Sequence, residues 1–196
     1  DGSYRDAMLS VDELSFEFLS GWFWASGDLF DGKFVGDLSF SGAKLRQFTR
    51  SFLDSPKKLY GTLNVESTFR VDMTDFTDSV IELEISALDG EIIDFIIQEE
   101  ISSVLYDIPL DNIFFDSISV TALMNNREVN VSSLKFNSDT IELDSSGTIT
   151  LDNMALDLNA VLAVEESFVS GLPNVARLFT KGFQEGDRLF FDLTIS

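Results

Sequence analysis

The sequence predicts a mainly β protein: an antiparallel sheet of roughly ten strands, curled on itself, with two or three short helices at its edges. Three observations predict it. From Phe114 to Leu158, short segments of alternating apolar and polar residues follow one another, each bounded by Asn, Asp, Ser or Gly. The chain carries 19 Phe against 3 Tyr, which implies a large apolar surface without polar tips. Its 196 residues are 44% hydrophobic and no Pro-, Gly- or Ser-rich linker divides them, so residues 1–196 read as one domain with a real core.

The elements follow in order. A short helix is expected around Asp6–Leu9. Leu14, Phe16 and Phe18 alternate with Ser15 and Glu17 as a strand. Ser20-Gly21 then turns the chain into Trp22-Phe23-Trp24, a continuously apolar strand expected to be covered on both faces. Asp31-Gly32 makes the next turn, before a strand with Phe34, Leu38 and Phe40 on one side. Gly36 on that side leaves room for a ligand or a bulge. Over Ser41–Leu53 the period changes, with Leu45, Phe48, Phe52 and Leu53 on one helical face and Pro56 beyond its end.

Strands resume with Leu63, Val65, Phe69 and Val71, then with Ile81, Leu83, Ile85 and Ala87, joined by an acidic connection at residues 72–79. Asp89-Gly90 reads as a turn into Ile92–Leu105. That segment fits a helix or a buried strand, its length and Gln98-Glu99-Glu100 favouring helix. In the central ladder Ile118, Val120, Ala122 and Met124 share one parity, as do Val129 and Val131, then Leu134 and Phe136, then Ile141, Leu143 and Ile149. Asn125-Asn126, Ser138-Asp139 and Asp152-Asn153 supply its turns. Ala160–Val164 ends another strand, Pro173–Thr180 forms a short helix closed by Gly182, and Leu189–Ile195 is the last strand. Strand lengths near five or six residues, or somewhat longer, follow from the turn spacing.

Composition excludes several functions. Thirty-four Asp and Glu against 13 Lys and Arg give a net charge of -21, which repels nucleic acid. Without cysteine there are no disulfides or thiolate metal sites. Without histidine the commonest general base and zinc ligand are missing. No apolar run approaches the roughly 20 residues that a membrane-crossing helix needs. The chain starts at Asp1 without an initiator Met, signal peptide or anchor, and so reads as an excised or processed piece.

Carboxylate pairs such as Asp28 and Asp31, or Glu82 and Glu84, have the composition for acid–base work, but on strands they occupy the wet parity that solubility demands. Asp72, Asp75 and Asp78 lack the twelve-residue loop of a calcium site. Gly27, Gly32 and Gly36 lie in a hairpin, where a phosphate-binding loop does not form. Trp22-Phe23-Trp24 reads either as core filling or as a sugar-stacking platform, and core filling is preferred because no hydrogen-bonding set accompanies it. The Phe stripes read either as a closed sandwich core or as the lining of a groove for acyl chains. Lys44, Arg46, Arg50, Lys57 and Lys58 gather five of the 13 cations into fifteen positions. They read either as a solvated helix paired with carboxylates or as a contact for anionic head groups.

Three places carry a family resemblance. They are Leu29–Phe40 with the Leu59-Tyr60-Gly61-Thr62-Leu63 that follows a helix, Leu88–Ile92, and Phe114–Leu158 with its Ser145–Ile149 motif. In this order they resemble the C-terminal region of the AsmA-like family, relatives of AsmA and TamB in the Gram-negative envelope. The resemblance spans most of residues 15–196 through short, degenerate motifs. It implies a sheet curled into a trough (a β-taco) and a periplasmic piece of a longer, inner-membrane-anchored protein. The implied function is non-enzymatic and needs no cofactor: lipid binding and transport in envelope and outer-membrane biogenesis. Phospholipid or another acyl lipid would lie on Phe16, Phe18, Phe34, Leu38, Phe40, Leu63, Val65, Phe69, Ile81, Leu83, Ile85, Ile118, Val120, Ile141 and Leu143. Head groups would meet Lys44, Arg46, Arg50, Lys57 and Lys58. The rival expectation is a structural or assembly module with a closed β core that binds other envelope proteins.

Overall fold

The computed structural model describes residues 9–52, 58–93, 112–153, 155–170 and 182–195. Within them, eleven strands form a single antiparallel sheet: β1 (Leu9–Phe18), β2 (Gly21–Phe30), β3 (Lys33–Lys44), β4 (Lys58–Asp72), β5 (Val80–Ile93), β6 (Asn112–Asn125), β7 (Glu128–Asn137), β8 (Ile141–Thr150), β9 (Ala155–Glu165), β10 (Phe183–Glu185) and β11 (Arg188–Ile195). Each strand lies beside its predecessor in the chain, except that β11 sits between β9 and β10. Two helices, α1 (Leu45–Phe52) and α2 (Glu166–Ser170), and a 3-10 turn at Phe76–Asp78 complete the described elements.

Turn chemistry explains the meander. Three hairpins turn on two residues that both have positive φ: Leu19-Ser20, Asp31-Gly32 and Asn126-Arg127. This is the type I′ geometry whose twist matches that of paired strands. Asp, Gly and Asn tolerate it readily, whereas Leu19 does not. Leu19 is held there because its side chain packs against the buried cluster and its carbonyl accepts the Lys44 N–H at 3.1 Å. The turn therefore falls one residue before the expected Ser20-Gly21. Asp89-Gly90 is not a turn: it lies inside β5, where Asp89 has φ of 50° opposite a register shift between Tyr60 and Thr62. The residue types that build a turn here build a β-bulge. Similar shifts between Val11 and Leu14, Phe40 and Ala43, and Val131 and Leu134 keep apolar residues on one face after their spacing changes parity.

Cross-strand partners share a face. One such row runs Phe16, Phe23, Phe40, Val65, Ile85, Val120, Leu134 across seven strands. The opposite face carries Glu17, Glu66, Glu84, Thr121 and Asp144. The apolar face is covered unequally. At the end where α1 follows β3 and α2 follows β9, Phe40, Leu63, Ile92, Phe115, Phe136, Leu143, Leu162 and Phe191 are buried in one cluster. At the end of short turns, Phe34, Phe69, Ile81, Leu83, Met124 and Ile149 are only half-buried.

The curled sheet is corrected. The sheet is open, neither closed nor strongly curled, with β1 at one edge and β10 at the other. Closure would have to pair the ten residues of β1 with a strand only three residues long. Most strands also exceed five or six residues: β4 has 15, and β5 and β6 have 14 each. The first helix is shorter than expected, because Ser41–Lys44 still belongs to β3. Ile92-Ile93 ends β5, and the rest of the expected helix to Leu105, with those at Asp6–Leu9 and Pro173–Thr180, falls mainly or wholly outside the described residues.

Candidate functional site

All fifteen residues assigned to an acyl-lined surface lie on the apolar face, as their parity indicated. They do not line a trough. Phe40, Leu63, Ile141 and Leu143 are part of the closed cluster at the helical end. Phe34, Leu38, Val65, Phe69, Ile81, Leu83, Ile85, Ile118 and Val120 are half-buried on an open sheet, and Phe16 and Phe18 stand exposed near its edge. The space beside Gly36 is occupied: a Cβ there would sit 3.1 Å from the Phe69 ring and would strike the Ser26 carbonyl. A hollow of about 750 Å³ over β7–β11 is lined mainly by the wet parity, including Lys135, Glu142, Asp144, Asn159 and Asp192. The lipid-binding, lipid-transport and outer-membrane-biogenesis reading needs a curled apolar channel, and the open sheet removes it. The closed core of the rival expectation is corrected by the same open edges.

Among the described residues, the longer of the two strands left without a second neighbour is β1. Its hydrogen-bonded neighbour in the sheet is β2 on one side, and no described strand lies on the other. An edge strand directs about half of its backbone N–H and C=O groups outward, ready to pair. On its apolar parity Leu9 is 62%, Leu14 49% and Phe16 42% exposed. On its wet parity and at its bulge stand Asp12, Glu13 and Glu17, with no Lys, Arg or Pro anywhere in LSVDELSFEF. Proteins commonly blunt such edges with charges, proline, bulges or a short strand. The far edge is short, since β10 has three residues. β1 is long, and its protection is confined to the bulge between Val11 and Leu14 and to carboxylates that leave Leu9, Leu14 and Phe16 exposed.

The cations lie on three successive elements. Lys44 ends β3, Arg46 and Arg50 are exposed on α1, Lys58 opens β4, and Lys57 lies outside the described residues. Arg46 sits over the Tyr60 ring, 5.3 Å from its centroid. Leu45 is buried and Phe48 packs against the cluster, as the helical face indicated, but the helix covers the end of a sheet and there is no trough mouth for it to guard.

The acidic connection after β4 is a self-contained turn. The Thr74 hydroxyl donates to Asp72 Oδ1 at 2.6 Å, with the Thr74 and Asp75 N–H groups at 2.9 and 3.1 Å. Asp75 accepts in the same way from Thr77. These bonds, led by the Thr74 hydroxyl and aided by Lys33 at 3.7 Å, lower the Asp72 pKa to about 2. Asp75 is lowered too, chiefly by the Thr77 hydroxyl. Both carboxylates are occupied in shaping the turn. Among the described residues no group of three or more acidic side chains is placed to hold a metal ion.

Sequence reasoning missed two things. Leu9 and Leu14 stand at least as exposed as Phe16 at the edge, a point legible only once β1 is known to be terminal in the sheet. The tryptophans are also separated from Phe23. Phe23 pairs with Phe16 and Phe40 on the apolar face, while Trp22 pairs with Glu17 and Ser41, and Trp24 with Ser15 and Ser39, on the wet face. The strand is therefore not covered on both sides, and the indoles do not fill the core. The alternation of Ser15 and Glu17 with Phe16 was the available signal, because hairpin register sets Trp22 opposite Glu17.

No family model matches the chain, and no curated protein or solved structure matches it. The resemblance to AsmA-like proteins rests on the residues quoted for it alone.

Proposed function

We propose that this chain is a non-enzymatic assembly module that accepts a β-strand of a partner protein along β1. The observation that carries the reading is the ten-residue edge strand with an apolar parity open to solvent and, on its wet parity and at its bulge, Asp12, Glu13 and Glu17 with no cation. The chemistry of the occupant follows from it. An added strand continues the sheet, so alternate residues extend the apolar face beside Leu14 and Phe16 and must themselves be apolar. The intervening residues face Glu13 and Glu17 and are best supplied by Lys or Arg. A second copy of this chain is the poorer occupant, because it would set β1 carboxylates against β1 carboxylates in a dimer of two -21 chains. On the resemblance to AsmA-like proteins, the partner would be another periplasmic envelope protein.

Support for binding rather than catalysis comes from the absence of His and Cys, and from Asp72 and Asp75. Their pKa values move down, opposite to what a general acid at neutral pH requires. The test is fluorescence anisotropy with three labelled ten-residue peptides: valine alternating with lysine, valine alternating with glutamate, and the valine–lysine composition shuffled. The alternating lysine peptide should bind at least tenfold more tightly than the other two, and Leu14→Lys with Phe16→Lys should abolish the difference. Equal binding of alternating and shuffled lysine peptides would reduce the effect to net charge and defeat the proposal. So would a wild-type dimer in sedimentation that Leu14→Lys dissociates, since the occupant would then be a second copy.

A further inference from the structure

The wet face near the β1 edge carries an aromatic surface that strand addition does not use. Trp22 and Trp24 are two residues apart on β2, so both indoles project from the same side with attachment points about 7 Å apart. Trp22 is 54% exposed and Trp24 half-buried. Registered across strands, they are flanked by Glu17 and Ser15 on β1, Ser41 and Ser39 on β3, and Glu66 opposite Ser39 on β4. A sheet holds these side chains in one shallow layer: two adjoining aromatic surfaces bordered by hydroxyls and carboxylates.

From this arrangement we infer that Trp22 and Trp24 form a binding platform for a neutral glycan. A pyranose ring presents an apolar face of axial C–H groups and an equatorial rim of hydroxyls. The C–H face suits the electron-rich indole surface, and the rim hydroxyls can donate to Glu17 and Glu66 and exchange hydrogen bonds with Ser15, Ser39 and Ser41. Charge selects among sugars and other flat ligands. The bordering residues include two carboxylates, with the exposed Lys44 beyond the bulge after Ser41 as the cation on that face, in a chain of net charge -21, so acidic sugars and nucleotides are disfavoured. A quaternary ammonium ion is attracted to indoles and carboxylates, but its recognition favours rings that converge as a cage, whereas neighbouring positions on one strand face lie side by side. An extended neutral oligosaccharide fits a row; a compact cation does not.

Glu17 borders both surfaces, but the indoles lie on the opposite face from Leu14 and Phe16, so the substitutions that test the platform are distinct from those that test strand docking. Tryptophan fluorescence and calorimetry are followed while the chain is titrated with cellohexaose, chitohexaose, maltohexaose and choline. At least one hexasaccharide should bind saturably, and Trp22→Ala and Trp24→Ala should each weaken it at least tenfold with unfolding midpoints near wild type. Phe30→Ala serves as a control, since Phe30 shares the wet parity but lies about 20 Å along the strand from Trp24 and is 45% exposed. It should leave affinity unchanged. Saturation by choline with none by the three sugars would overturn the inference. So would no saturable binding at all, or sugar binding that survives both tryptophan substitutions.

Discussion

The Phe69 ring on β4 lies over Gly36 on β3, so that a Cβ added at Gly36 would stand 3.1 Å from Cζ of that ring and 2.9 Å from the Gly27 Cα. Phe34, two residues before Gly36, packs against the same ring with centroids 5.2 Å apart and planes tilted by 45°. Gly27 and Gly36 face each other across β2 and β3, and together they make the floor on which Phe34 and Phe69 rest.

Replacing Gly36 with Ala should therefore destabilise the fold by about 1–3 kcal/mol, the usual cost of overfilling a close-packed site. Urea unfolding followed by circular dichroism measures it. An alanine that left the midpoint unchanged would mean that the glycine is spare room after all.

Burial along the apolar face sets a second expectation. Leu162 is fully buried between Leu143 and Phe191, whereas Leu83 on the same face is half-buried near the short turns. Leu162→Ala should cost about 2–5 kcal/mol. Leu83→Ala should cost less than half as much, because much of its surface already meets solvent. Equal losses in urea unfolding would show that the two ends are covered alike.

Much of this fold was legible in the sequence, for reasons that particular residues make plain. Alternation from Ile118 to Met124 fixes which face each side chain takes, and Asp31-Gly32 has a type I′ preference that outweighs context. Two kinds of information were not local. Asp89-Gly90 has the chemistry of a turn and also of a bulge, and what decides is that β4 and β6 continue beside it on both sides. Curl is set by the summed twist of all the strands, to which no single residue testifies. The candidate site suffered in the same way. Which strand is an edge depends on the order of the whole sheet, so Leu14 reads like any other strand leucine until β1 proves terminal. Trp22 and Trp24 read as core because three aromatics in a row hide the alternation that separates Phe23 from its neighbours.

Acid stability should report the turn after β4. The Asp72 pKa is lowered from 3.8 to about 2, so its ionised form is favoured in the folded state. That contribution is fully present above pH 3.8, and it is lost as the pH falls through about 2. Asp72→Asn should therefore be less stable than wild type near neutral pH, with the difference closing between roughly pH 4 and pH 2. Urea midpoints of both proteins across that range decide it, and a difference that stayed constant with pH would contradict the assignment.

The most direct test of the account is residue-resolved amide exchange on β1. In the free protein, alternate amides of Leu9–Phe18 should exchange rapidly because they point away from β2. Adding the alternating valine–lysine peptide should slow those amides at least tenfold while leaving β10 unchanged, and the shuffled peptide should do neither. Unchanged exchange along β1 in the presence of bound peptide, or protection centred on another strand, would contradict the claim that this edge is where the protein receives its partner.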